Sequence, residues 1–159
     1  MEKMQSNIIA PEDEAGFVDG YLLYIMAQAS AAVSQAFHAQ LAEMGVSVAT
    51  WRILASLYPD GALNVGELAS RCLTKQPTLT RQLDRLCAEG WVSRENASDD
   101  RRGVIVKLTP EGFKRVSHYV RLAKDHEAKV LADYSDAEVS TLKAMLKDLQ
   151  QRAKAMPSS

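Results

Sequence analysis

The sequence is poor in features that would take it outside ordinary folded proteins. Two cysteines in 159 residues cannot build a disulfide framework, which fits a reducing compartment. No signal-peptide pattern opens the chain, so a cytoplasmic location is expected. A membrane span needs about 20 apolar residues. The most apolar stretch, Phe17 to Val33, is interrupted by Asp19, Gly20, Gln28 and Ser30. No G-x-S-x-G elbow and no phosphate-binding glycine loop occurs, so an enzyme is not expected and no catalytic residue is nominated. His38, His118 and His126 form no H-x-x-x-H pattern, and the cysteines form no C-x-x-C, so neither a metal nor a cofactor is expected. Internal repeats and low-complexity segments are absent too.

Net charge is also nearly missing, at −1, but its distribution is uneven. Residues 1–19 carry five acids against one base, whereas residues 71–102 carry seven bases against five acids. A near-neutral chain does not coat nucleic acid diffusely, yet it can carry a local basic face.

What is present is a series of helix starts. Ser47, Asn64 with Glu67, Thr109 before Pro110, and Ser135 with Glu138 each place a side-chain oxygen over orphan amides. Apolar pairs flank them in staple positions, such as Leu63 with Leu68 and Leu108 with Phe113. The chain therefore reads as mainly helical. One helix is expected from Glu12 to Met44, ending at Gly45, with apolar residues almost all round it. Such a helix is covered on several sides, which points to a second subunit. Leu142, Met145, Leu146 and Leu149 give another packing stripe near the C-terminus. Residues 12–44 and 110–155 are assigned as the helical dimerisation region on this basis.

The helical pattern breaks once. Trp91–Arg94 and Val104–Leu108 alternate in polarity around a charged loop, as a two-stranded hairpin does, and Gly90 stands where the preceding helix would stop. Residues 47–109 thus run helix (about 48–58), helix (about 65–72), turn, helix (about 76–88), hairpin: a winged helix-turn-helix lobe. In the second helix of the pair, Leu79, Leu83 and Leu86 share one face. The other face offers Gln76, Thr80, Arg81, Asp84 and Arg85, with Lys75, Pro77 and Thr78 at its leading end. Threonine methyls and hydroxyls, an amide and guanidinium groups suit base edges and phosphates in a major groove. Read alone, the same face is an ordinary solvated helix surface. In the hairpin tip, Asp100 can brace a neighbouring arginine, leaving Arg101 or Arg102 to enter a minor groove.

At these residues the sequence resembles the MarR family of transcription regulators. The similarity runs from about Phe17 to Leu149. It is most specific at Asp100, Arg102, Leu108, Thr109 and Gly112, and extends to Leu79-Thr80-Arg81, Leu83-Asp84-Arg85-Leu86, Glu89-Gly90-Trp91-Val92 and Trp51-Arg52-Ile53-Leu54. The resemblance implies a homodimer with interlocked terminal helices, bound to a pseudopalindromic double-stranded operator. It implies Arg102 as the wing residue in the minor groove, and repression relieved by a small aromatic acid or phenolic ligand. Tyr24, His38, Trp51 and Arg52 are the candidates for lining the ligand pocket, although Trp51 reads first as a hydrophobic staple and core anchor. Two alternatives stay open: redox sensing through Cys72 or Cys87, and a helical dimer that binds only protein partners.

Overall fold

The computed structural model describes residues 16–96 and 103–156. In chain order the elements are α1 (Phe17–Gly20), α2 (Leu22–Glu43), α3 (Val48–Leu57), β1 (Leu63–Asn64), α4 (Val65–Arg71), α5 (Gln76–Ala88), β2 (Val92–Asn96), β3 (Val104–Leu108), α6 (Pro110–Val130) and α7 (Asp136–Ala155). No helix among the described residues is long and apolar enough to cross a membrane.

Each helix start read from the sequence is made by the atoms proposed for it. The Thr50 amide donates to Ser47 Oγ at 3.1 Å, and the Gly112 amide to Thr109 Oγ1 at 3.0 Å. Two full capping boxes stand at Asn64/Glu67 and Ser135/Glu138, where side chain and backbone bond reciprocally. Two helix stops use glycine in the left-handed region, with φ 71° at Gly45 and 73° at Gly90.

The structure corrects two expectations. The helix proposed for Glu12–Met44 is interrupted: Tyr21 is extended (φ −82°, ψ 110°), separating the single turn α1 from α2. Gly20, a weak helix former, immediately precedes the break, and residues 12–15 lie outside the described residues. The two-stranded wing is in fact part of a three-stranded antiparallel sheet of order β1-β3-β2, because Leu63 pairs with Val106 and Asn64 with Ile105. A two-residue strand is too short to show alternation. Its residues had already been read as a staple and a cap, and they serve in both capacities.

The core lies between these elements. Ile53, Leu54 and Leu57 of α3 meet Leu68 of α4, Leu79, Leu83 and Leu86 of α5, Val106 of β3 and Val116 of α6, all fully buried. Burying such side chains contributes about 1.5–3 kcal/mol each relative to exposure. Phe37 and Leu41 bring the C-terminal half of α2 onto this core. By contrast, α7 has no buried residue.

The join between lobe and α6 is made at Thr109 and Gly112. The Thr109 hydroxyl donates to the Gly90 carbonyl at 2.6 Å, and the Thr109 amide to the Trp91 carbonyl at 3.1 Å. A Cβ at position 112 would overlap the Trp91 carbonyl oxygen. Glycine is required there by close backbone approach, which gives a physical reason for the L-T-x-x-G pattern.

Candidate nucleic-acid interface

The turn between α4 and α5 spans Cys72 to Lys75. Leu73 takes the left-handed conformation with φ 54°, and the Thr74 amide donates back to the Ala69 carbonyl at 3.1 Å. The next helix, α5, is amphipathic as read: Leu79, Leu83 and Leu86 are fully buried, while Pro77, Thr78, Thr80, Arg81, Asp84 and Arg85 are exposed. Its N-cap, Lys75, makes no side-chain capping bond, Pro77 has no amide proton, and the Thr78 amide donates to the Lys75 carbonyl at 3.1 Å. The positive end of the helix dipole beside the Lys75 ammonium favours anions.

The polar side chains of α5 are not equivalent. Gln76, nominated for base reading, turns back toward α4, where its Nε2 would lie 3.1 Å from a Cβ at Gly66. The Thr80 hydroxyl donates to the Gln76 carbonyl at 3.0 Å, which leaves its methyl outward. Arg85 donates to Thr50 Oγ1 at 2.7 Å and lies 3.5 Å from Glu89, so its guanidinium is tied to α3. The Thr50 hydroxyl is in turn 2.9 Å from Ser47 Oγ, joining Arg85 to the cap of α3. Asp84 pairs with Arg94 of β2 at 2.6 Å. Among the described residues, Arg81 has no ion-pair partner. On the helical wheel it lies between Arg85 on one flank and Asp84 on the other. The exposed face of α5 therefore carries one uncommitted guanidinium at its centre, a tethered one beside it and a neutralised acid.

The wing rises beside that helix. Only its base is buried, at Val92 and Val106, and the strands become exposed toward the tip. Lys107 and Glu95 pair across the two strands at 2.6 Å. Asp100, Arg101 and Arg102, the residues nominated at the tip, lie outside the described residues.

The four candidates for a ligand pocket do not converge within one chain. Trp51 is half-buried and meets Phe37 edge-on, with ring centroids 5.2 Å apart, which makes it a core anchor. His38 is half-buried beside the same phenylalanine, at 6.3 Å. Tyr24 lies fourteen residues before His38 on α2, roughly 21 Å away along the axis. Arg52 is exposed on the side of α3 that approaches Cys72. The residue missed is His126 of α6, which stacks on Phe37 at 5.9 Å and hydrogen-bonds the Val33 carbonyl at 2.7 Å. It continues the inward stripe of Val116, Tyr119 and Ala123, so helical periodicity could have found it.

Neither cysteine is paired. Cys72 is buried, and burial pushes its thiol pKa up, against smaller opposing effects from the Ser56 hydroxyl 3.8 Å away and the Arg52 charge. No group of three or more metal-binding side chains occurs among the described residues.

Comparison with known proteins agrees with this arrangement. A family model described as the MarR family matches residues 46–104. The multiple antibiotic resistance protein MarR of Escherichia coli is 32% identical over 108 residues, covering 67% of this chain and 75% of the relative. The transcriptional repressor YetL of Bacillus subtilis is 34% identical over 110 residues, covering 68% of this chain and 66% of the relative. In three dimensions, the crystal structure of a MarR family transcriptional regulator from Silicibacter pomeroyi superimposes with a TM-score of 0.76. It is 34% identical, and the match covers 86% of this chain and 98% of that one. With the winged helix-turn-helix built by its own residues and relatives matched along most of its length, the chain belongs to the MarR family of transcriptional regulators, which bind DNA and are not enzymes.

Proposed function

We propose that this protein is a homodimeric, sequence-specific repressor that holds a pseudopalindromic operator with two winged lobes and releases it on binding a small aromatic acid or phenol. The observation that carries the DNA reading is the exposed face of α5, where Arg81 is uncommitted and the one acid beside it is neutralised by the wing. Arg81, Gln76, Thr78, Thr80 and Pro77 meet the major groove. Lys75 at the α5 N-terminus takes phosphate, and Arg85 supports from its tether on Thr50. Arg102, with Arg101 and the bracing Asp100, serves the minor groove. Two such lobes read successive major grooves when they are about 34 Å apart.

Support for the dimer comes from helices that leave apolar residues in water. Leu142, Met145 and Leu146 of α7 and Leu22, Leu23 and Ile25 of α2 are exposed, at spacings that make continuous faces. Regions 12–44 and 110–155 form the dimerisation region, and 47–109 the DNA-binding lobe. The ligand reading rests on the half-buried aromatic group of Trp51, His38 and His126 around Phe37, where α2 and α6 meet the lobe. A ligand that favours one lobe spacing over another shifts the dimer between DNA-binding and released states. At Cys72, burial raises the thiol pKa and so disfavours the thiolate that redox sensing needs. A protein that acts in this way works in the cytoplasm, on the chromosome.

The test is selection of a duplex from a randomised pool, followed by titration. Arg81→Ala is expected to weaken binding to the selected duplex about ten-fold or more. Arg102→Ala is expected to weaken it comparably, with both variants still dimeric by size-exclusion chromatography. Unchanged affinity in both would remove these residues from the interface. For the effector, phenolic acids are titrated into the protein–duplex complex; indifference to all of them refutes ligand release. Equal affinity under peroxide and reductant is expected.

A further inference from the structure

The pair formed by Arg94 and Asp84 does more than cancel charge. Arg94 lies on β2, two residues beyond the buried foot of the wing at Val92. One guanidinium nitrogen donates to Asp84 Oδ1 at 2.6 Å, and another donates to the backbone carbonyl of Thr80 at 3.0 Å. Both acceptors are on α5, one helical turn apart, so a single planar group from the wing spans a turn of the helix proposed to enter the major groove. The opposite flank of α5 is held by Arg85 on Thr50. Arg94 is also the less exposed partner, with its side chain 31% accessible against 58% for Asp84.

We infer that Arg94 is a positioning residue for DNA recognition: it clamps the wing to α5 so that the two elements present one fixed geometry to the duplex. Asp84 serves as the clamp's anchor on the helix. This rests on the DNA reading given above. A guanidinium is suited to the task because its planar fork can serve two acceptors at once, which an ammonium cannot do with the same geometry. The clamp also explains an acid on the DNA-facing side of α5. Taken alone, Asp84 would repel phosphate, and its removal would strengthen binding. As an anchor, its removal weakens specific binding even though a negative charge is lost.

That opposition of sign supplies the experiment. The full-length protein selects a duplex from a randomised pool. Affinities for this duplex and for a scrambled one are then measured over a range of salt, with thermal unfolding confirming that each variant folds. Asp84→Asn is expected to lower affinity for the selected duplex about five-fold, the scale of an exposed ion pair. Its affinity for scrambled DNA should stay level or rise. Arg94→Gln should show a larger loss of the same kind with an unchanged salt slope, and Arg94→Lys should recover only part of it. The double variant should bind no worse than Arg94→Gln alone, since both remove one clamp.

If Asp84→Asn binds the selected duplex as tightly as the unaltered protein, or more tightly, the clamp is refuted. Equal loss in Arg94→Gln on both duplexes, with a salt slope lower by about one, would make Arg94 a direct phosphate contact and overturn the proposal as well. Failure of the unaltered protein to select any duplex would instead bring down the DNA reading on which the clamp depends.

Discussion

The winged lobe and helix α7 start from the same local chemistry and end in different situations. Asn64/Glu67 opens α4 inside the lobe, and Ser135/Glu138 opens α7, each with a reciprocal capping box. Both helices have apolar residues at helical spacing. In the lobe, Leu68 of α4 joins Ile53, Leu57, Leu83 and Val106 in the core and loses all contact with water. Among the described residues nothing buries the apolar residues of α7, and Met145 remains 65% exposed. Caps and periodicity make an element; they do not supply the surface that buries it. A large exposed apolar face marks an interaction site, and α7 carries one, whereas the lobe closes its core within one chain.

The comparison breaks most severely at Gly112. Helix propensity alone favours alanine there by about 1 kcal/mol. The Trp91 carbonyl occupies the space a side chain would need, so Gly112→Ala is expected to destabilise the lobe by about 3 kcal/mol in denaturant unfolding. An increase in stability would mean that α6 can shift away without cost. The arm should fail in another way. Leu142→Glu combined with Leu146→Glu is expected to abolish the dimer in sedimentation while the lobe keeps its hydrophobic core. Loss of lobe structure together with the dimer would show that the two regions are not separable.

The two capping boxes give a finer test. Asn64→Ala should lower lobe stability by about 1 kcal/mol, because β1 and α4 are anchored on either side of it. Ser135→Ala should instead speed hydrogen exchange in the first turn of α7 and leave the lobe's midpoint in place. The smallest effect expected is with pH. Hydrogen bonds from the Ser135 hydroxyl, then from its backbone amide, hold the Glu138 carboxyl below its ordinary value of 4.5. The native state thus favours the ionised form. Its contribution is present above the ordinary value and fades as pH falls through the lowered one. The protection factor of amides in this turn, which divides out the intrinsic pH dependence of exchange, should fall as pH drops over that interval in the unaltered protein and stay flat in Glu138→Gln.

Much of the architecture was legible because its signals are local. Ser47, Asn64, Thr109 and Ser135 are caps whichever way the chain packs, and the inward stripe of α5 needs only a period of 3.6. Other features depended on distant atoms. Nothing near Leu63 announces pairing with Val106, more than forty residues away. Nothing near Gln76 announces that its amide turns toward Gly66. Periodicity places His126 on the inward stripe of α6, but its contacts with Phe37 and the Val33 carbonyl depend on how α2 packs against that stripe.

The sequence by itself determined where α3, α4, α6 and α7 begin, where α2 and α5 stop, which face of α5 is apolar, and that a hairpin follows it, since caps, glycine stops and periodicity act within a few residues. Tertiary structure alone decided which arginine is uncommitted. Arg81, Arg85 and Arg94 carry the same charge, but Thr50 holds the second, Asp84 holds the third, and the first is left facing outward. A guanidinium takes its role from the acceptors within about 3 Å, and those acceptors come from other segments of the chain.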